Sequence, residues 1–485
     1  MSITTALGSA LSGLTAASRA AEVVASNVAN AQTPGYGRRE ISLQARTVGG
    51  AGQGVSVLAV NRRVDQVLIN DRRSAEAGAG NRDVRAGFLR LVEQAIGTPE
   101  TEGSLGARIA ALDTALIEAA SRPESEARLS AVADAGRALT GALAQATDQI
   151  QTARATADRS IATEVEALNT ALAQVADLNN TIRTYGGSGR DTASLMDKRQ
   201  QIIDSISEIV PLREVSRDNG QIALYAAGGA VLLEGKAAVL SFTPAGVMVP
   251  QMTVQGGGLS QLQINGRPVD TSADGGLIAG GSLAALFAVR DDLSVAAQSR
   301  MDAVARDLVG RFADTTVDAS LAADDAGLFT DAGQAFDPAT ELGLAGRLTL
   351  NARVDPAQGG ALWRLRDGIG AAAPGPVGQS SLLTALGTAL GASRPVASGG
   401  FMAGNRSFAT LAADMLSGAA AQRLTSDSEA SFAQARLTAL SEMELQGGVD
   451  SDQELQTLLV VEQSYAANAK VIQSIDEMIK TLLGM

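Results

Sequence analysis

The stretch Glu454 to Leu483, ELQTLLVVEQSYAANAKVIQSIDEMIKTLL, holds neither Pro nor Gly. Within it Leu458, Tyr465, Ile472 and Ile479 stand seven residues apart, and Val461, Asn468, Ile475 and Leu482 lie three further on in each heptad. A seven-residue apolar repeat is the mark of a helix that packs along a partner helix. Asp450, Ser451 and Asp452 precede it and offer capping side chains and acidic charge for the positive helix end. The polar Asn468 on the seam sets register at some cost in stability.

The opposite end of the chain mirrors this one. Leu7, Leu14, Ala21 and Val28 repeat every seven residues, with Leu11, Ser18 and Ala25 between them. Ser and Ala fill several of these positions, so this seam is weaker and the helix needs a partner. It stops at Asn30-Ala31-Gln32-Thr33-Pro34-Gly35-Tyr36-Gly37, where Pro34 turns Thr33 out of the helical region and Gly35 permits a turn. Asn27 and Asn30 are either contact residues of an assembled structure or the side chains that end the helix. Beyond the turn, Ile41–Gln44 and Val55–Val57 alternate apolar and polar residues as short strands do. The glycine cluster from Gly49 to Gly54 between them lacks the spacing of a phosphate cradle and reads as a turn.

Between the ends, apolar spacing predicts long helices over about residues 80–208, carried by Phe88, Val92 and Ile96, by Leu129, Val132 and Leu139, and by Val165, Leu168, Leu172 and Val175. From Pro211 the pattern turns to short alternating runs and Gly turns. Helix returns at 286–317 and again from Phe408. The fold class is α+β, mainly α. The expected division is a terminal helical domain (1–60 with 440–485), a helical middle domain (61–208 with 286–439) and an inserted β-rich outer domain (209–285). Bracketed by helices, the insertion is expected to project outward and to be dispensable for assembly.

The composition removes whole classes of chemistry. The 485 residues include no Cys and no His, so no disulfide, thiolate nucleophile or Ser–His–Asp triad is available. The net charge of −13 argues against a nucleic-acid partner. The pairs Arg38–Arg39, Arg62–Arg63 and Arg72–Arg73 read as solvated faces. No run is long and apolar enough to span a bilayer, and residues 1–17 lack the basic residues of a cleavable secretory signal. Asp270 to Gly275 has only part of a calcium loop, with Gly281 where the closing acid belongs, and reads as a Gly turn. Asp324–Asp325 read as solvated turn residues. No catalytic, cofactor or metal site is expected.

Ala25-Ser26-Asn27-Val28-Ala29-Asn30-Ala31-Gln32-Thr33-Pro34-Gly35-Tyr36 resembles the N-terminal signature of the bacterial flagellar rod, hook and hook-associated (axial) protein family. Gly54-Val55-Ser56-Val57 with Arg62 and Asp65 continues the likeness, and Leu455, Glu462-Gln463, Tyr465 and Ile472 resemble the shared C-terminal signature. Three inner stretches resemble the hook-associated members. They are Leu195-Met196-Asp197-Lys198-Arg199-Gln200 with Asp218-Asn219-Gly220-Gln221, then Leu350-Asn351 with Val354-Asp355-Pro356, and Gly448 to Leu455. The last departs from the family pattern at Asp450 and Ser451, where Asn and Leu are usual.

The resemblance implies a non-enzymatic part of the flagellum at the junction of hook and filament, exported unfolded through the flagellar type III apparatus; the alternatives are another axial flagellar part, hook or distal rod, and, more remotely, a secreted cell-wall enzyme with paired carboxylates. It implies a ring of copies of this chain, contacts to hook protein, a second junction protein and filament subunits, and an export chaperone on the C-terminal helix. The assembly interface is then expected on Leu7, Leu11, Leu14, Asn27, Asn30, Pro34, Gly35 and Tyr36. At the other end it is expected on Leu458, Val461, Tyr465, Asn468, Ile472, Ile475, Ile479 and Leu482. The terminal helices are expected to stay unfolded until neighbouring copies supply partners.

Overall fold

A computed structural model describes residues 3–48, 51–188, 190–272 and 275–484. Gly49 and Gly50 of the glycine cluster, and Ala273 and Asp274 of the candidate calcium loop, lie outside the described residues.

The two chain ends form one module. Helix α1 (Ile3–Ala29) runs into an antiparallel hairpin of strands β1 (Arg38–Val48) and β2 (Ala51–Arg63). Helix α2 (Gln66–Ile96) leads away, its first turn capped by Asp65, whose carboxylate accepts from the N–H groups of Val67 and Leu68. The positive φ of Gly97 ends it. Helices α3 (Leu105–Ser121), α4 (Glu126–Gly187) and α5 (Ala193–Asp204) follow. Helix α4, with 62 residues, is roughly 90 Å long and is the spine of the molecule. Leu129, Val132, Leu139, Leu143, Leu168, Leu172 and Val175 recur at helical spacing on its buried face.

Seven short strands come next. Four form one sheet in the order β3 (Leu212–Ser216), β4 (Ile222–Ala226), β5 (Val231–Glu234) and β6 (Lys236–Ala237). Strands β7 (Leu240–Ser241), β8 (Gln263–Ile264) and β9 (Arg267–Pro268) form another. Helices α6 (Ser282–Ala288) and α7 (Ser294–Phe312) are joined by a π-helical turn, Val289–Leu293. Short pieces follow: β10 (Phe329–Asp331), α8 (Leu344–Arg347), β11 (Leu348–Leu350), α9 (Arg364–Asp367), α10 (Ser381–Gly391), β12 (Arg394–Pro395) and β13 (Asn405–Arg406), of which α8 and β11 pack on α4 and α10 packs on α3. Helix α11 (Phe408–Gln446) returns along α2, and α12 (Ser451–Leu483) packs on α1. The chain is therefore α+β and mainly α.

The segment 209–285 does not stand off as an outer body, contrary to the expectation from its bracketing helices. Leu212, Leu224, Leu232, Leu240 and Leu262 belong to the same apolar core as Leu168 and Val175 of α4. Polar groups of α4 tie it down further. Asn169 exchanges two hydrogen bonds of 2.8 Å with the backbone of Leu240, and Asn179 donates to the Ile222 carbonyl at 2.8 Å. Asp158 accepts from the Ala245 N–H, and Arg154 donates to the Met252 carbonyl, both at 2.6 Å. The strands are too short to bury both faces alone, so one face closes on the spine.

Candidate assembly interface

The weak N-terminal helix finds its partner within the chain. Helices α1 and α12 lie against each other, and Asn468 rests directly on Gly13. Ile475 is buried at 3% exposure, while Leu458, Val461, Asn468, Ile472 and Ile479 are half-buried. This side of α12 is the heptad seam read from the sequence. Tyr465 and Leu482, expected on the same seam, are exposed.

On α1 the buried side differs from the expected one. Ala10, Ala17 and Val24, a seven-residue repeat, are buried together with Ala16 and Val23. Leu7 and Leu11 face outward, Leu11 with 57% of its surface exposed, Val28 is exposed, and Leu14 is half-buried. The small side chains let α1 approach α12 and β2 closely. Ser12 marks the contact with β2: its Oγ accepts from the Val55 N–H at 3.1 Å, and a Cβ at Gly54 would stand 2.0 Å from that oxygen. Helix α12 likewise carries a second apolar stripe on its free side, Val460, Ala467, Val471, Met478 and Leu482, spaced seven, four, seven and four. Leu43, Val57 and Leu58 of the hairpin are exposed as well. The paired ends thus form a module with apolar residues on its outside.

The turn between α1 and β1 is held internally. Asn27 is buried; its Oδ1 accepts from the Tyr36 hydroxyl and the Arg39 N–H, and its Nδ2 donates to the Arg39 carbonyl, all at 2.9 Å. Asn30 donates to the Ser26 carbonyl at 2.9 Å and ends the helix. The Arg39 guanidinium lies 5.1 Å from the centre of the Tyr36 ring. Asn27 and Tyr36, two of the residues expected in the assembly interface, bond through these polar groups within the chain. Pro34 and Gly35 face α5: the Pro34 carbonyl accepts from Gln201 Nε2 at 2.9 Å, and Gly35 has φ of +76°. A Cβ there would be 2.8 Å from Gln201 Cγ.

The arginine pairs are not solvated faces, which corrects the reading of charge alone. Arg73 is fully buried and donates to Asp204 at 2.7 Å and Glu214 at 2.8 Å. Arg72 pairs with Glu76, Asp204 and Glu444. Burial alone would lower its pKa, but Asp204 and Glu444 outweigh that and raise it. Arg38 donates to the buried Glu454 at 2.7 Å, tying β1 to the start of α12. Arg62 and Arg39 both reach Asp197 on α5, at 2.7 and 3.3 Å. Only Arg63 of these six is mostly exposed. The signal in the sequence was the matching set of carboxylates, but apart from Glu76, four residues from Arg72, those lie more than a hundred residues away and their pairing is a product of folding.

The remaining acidic candidates hold local structure. Asp270 accepts from the Ser272 N–H at 2.8 Å in an Asx turn, and Asp325 accepts from the Ala322 N–H at 3.1 Å. Among the described residues no group of three His, Cys, Asp or Glu is placed to hold a metal. No described helix is long and apolar enough to cross a membrane.

Comparison with known proteins points the same way from three parts of the chain. Residues 89–324 match the helical domain of the flagellar hook-associated protein FlgK. Residues 446–485 match the C-terminal model of flagellar basal body rod FlgEFG proteins, and 7–36 the model of flagella basal body rod proteins. Flagellar hook-associated protein 1 of Bacillus subtilis (strain 168) is 28% identical over 240 residues, 47% of this chain and 47% of that one. The protein of the same name from Escherichia coli (strain K12) is 25% identical over 282 residues, 56% of this chain and 51% of that one. That of Salmonella typhimurium is 27% identical over 236 residues, 47% of this chain and 42% of that one. The chain spans about half the length of the curated relatives it matches. The solved flagellar hook junction protein FlgK from Burkholderia pseudomallei aligns with 54% of this chain and 47% of its own, at 17% identity and a TM-score of 0.43.

Proposed function

We propose that this chain, a relative of flagellar hook-associated protein 1 through its helical middle and both its ends, is a structural subunit of the junction between flagellar hook and filament. The match over 89–324 favours this role over that of a hook or rod subunit. The observation that carries the reading is the terminal module. Its two helices pair inward through Ala10, Ala17, Val24 and Ile475, and still present apolar stripes outward on Leu7, Leu11 and Val28 and on Val460, Val471, Met478 and Leu482. An exposed apolar surface of this extent marks an interaction site. Copies of the chain side by side would bury these stripes against each other, giving a ring in which each module touches neighbours on two sides.

On this reading the partners are further copies of the chain, hook protein, a second junction protein and filament subunits, with an export chaperone covering α12 before assembly. The protein works outside the cell, at the hook–filament junction, and has no catalytic role. The test is a pair of substitutions on the outward stripes, Leu11→Asp with Val471→Asp. Neither side chain is part of the inner seam, so the purified variant should melt like the parent. Each charge would enter an apolar interface in the assembly. Cells carrying it should build hooks, release the variant into the medium and leak unpolymerised filament subunits. Replacements at Gln473 and Lys480 should leave motility intact. Normal swimming by the stripe variant would overturn the proposal.

A further inference from the structure

The geometry points to Asp197 as the positioning residue that sets the direction in which the terminal module stands on the helical middle. Two sequence motifs meet there, 160 residues apart. One is the Pro34-Gly35-Tyr36-Gly37 turn; the other is Asp197 with Gln200 and Gln201 on α5. Nothing in either motif alone announces the contact.

The module is joined covalently to the middle by only two short connectors, residues 64–65 between β2 and α2 and residues 447–450 between α11 and α12. Two connectors of this kind leave a hinge. The contact at Asp197 is a third attachment. Its Oδ1 accepts from the Gly37 N–H at 3.0 Å and from Arg62 Nε at 2.7 Å, and its Oδ2 accepts from Arg39 at 3.3 Å. Gln200 accepts a further hydrogen bond from Arg62, and Gln201 donates to the Pro34 carbonyl. The fit is close as well as polar: a Cβ at Gly37 would stand 2.5 Å from Arg62 Nε, so only Gly lets the guanidinium lie across the turn.

One carboxylate therefore holds three donors from two strands and a turn. The side chains of Asp197, Arg62 and Arg39 retain 10, 12 and 18% of their exposure, so their charge-assisted bonds are largely shielded from water. Long-range screening that weakens surface pairs acts less on such a contact. The inference concerns the free chain and stands apart from the proposed role in assembly: the lock either holds the module or does not, whatever the module later binds.

The chain has no native Cys, so spin labels can be placed without background. One label pair, at Gln174→Cys on α4 and Ser464→Cys on α12, reports the direction of the module. A second pair, at Ala25→Cys on α1 and Lys480→Cys on α12, reports the module's own integrity. Electron–electron distance measurement on the purified chain should give one narrow peak for each pair. Asp197→Ala should abolish the narrow peak of the first pair and leave the second unchanged. Arg62→Ala should act in the same direction. An unchanged narrow peak for the first pair in Asp197→Ala would overturn the inference. So would a first pair that is already broad in the parent chain. Broadening of both pairs would show that Asp197 holds the module together rather than aiming it, and would overturn it too.

Discussion

Asn468 on α12 lies over Gly13 on α1, so near that a Cβ at position 13 would stand 2.7 Å from its Oδ1. The two terminal helices can approach this closely because α1 offers Gly and Ala where α12 offers larger side chains. Gly13→Leu should force them apart and cost about 1–3 kcal/mol, the usual penalty of overpacking. Gly8, one and a half turns earlier, has nothing within 4 Å of such a Cβ. Gly8→Ala should instead stabilise α1 by about 0.5–1 kcal/mol through helix propensity. Hydrogen exchange of residues 3–29 should fall in Gly8→Ala and rise in Gly13→Leu. The same change in both would refute the packing described.

Ile475 and Val471 separate the inner from the outer face of α12. Ile475 is buried and Val471 is exposed at 44%. Ile475→Ala should destabilise the module by about 2–5 kcal/mol, and Val471→Ala by no more than about 0.5 kcal/mol. Exchange protection of α12 in the monomer reads both. Equal effects would mean that the seam faces another way.

Glu164 on α4 gives the helical middle a dependence on pH. Burial raises its pKa to about 7; the hydrogen bond from Ser282 opposes this, and the nearby Glu208 adds to the rise. A carboxyl raised in the folded state binds its proton more tightly there than in the unfolded chain. Its stabilising contribution is complete below the ordinary carboxylate value of 4.5 and is lost as pH rises through about 7. The melting temperature should fall across that window. Glu164→Gln, which cannot ionise, should flatten this part of the profile. A parallel profile in the variant would rule the group out.

The strand segment is a wall of the core rather than an attachment. Deleting 212–282 would bare Leu168, Leu172 and Val175 of α4, all buried beneath or beside it. A spine left with this much exposed apolar surface should aggregate or lose its cooperative melt. A soluble deletion variant that melts cooperatively near the parent temperature would show instead that the segment is independent.

The heptads at both ends, the stop at Pro34, the spine positions Leu129 to Val175 and the change to strands after Pro211 are all visible in the sequence. Each depends on neighbours within a few turns, where spacing and backbone restriction decide the conformation. The absence of Cys and His is likewise a property of the sequence alone, and it removes thiol and imidazole chemistry before any folding is considered. The inner face of α1 was not legible. Leu7-Leu11-Leu14 and Ala10-Ala17-Val24 both repeat at helical spacing, and hydrophobicity favours the leucines. What buried the alanines is the close approach of α12 and β2, with Gly13 under Asn468 and Gly54 against Ser12. The arginine pairs followed the same rule. Their charges are local, but whether a guanidinium meets water or a carboxylate depends on Asp197, Asp204, Glu444 and Glu454, which only the tertiary fold brings within reach.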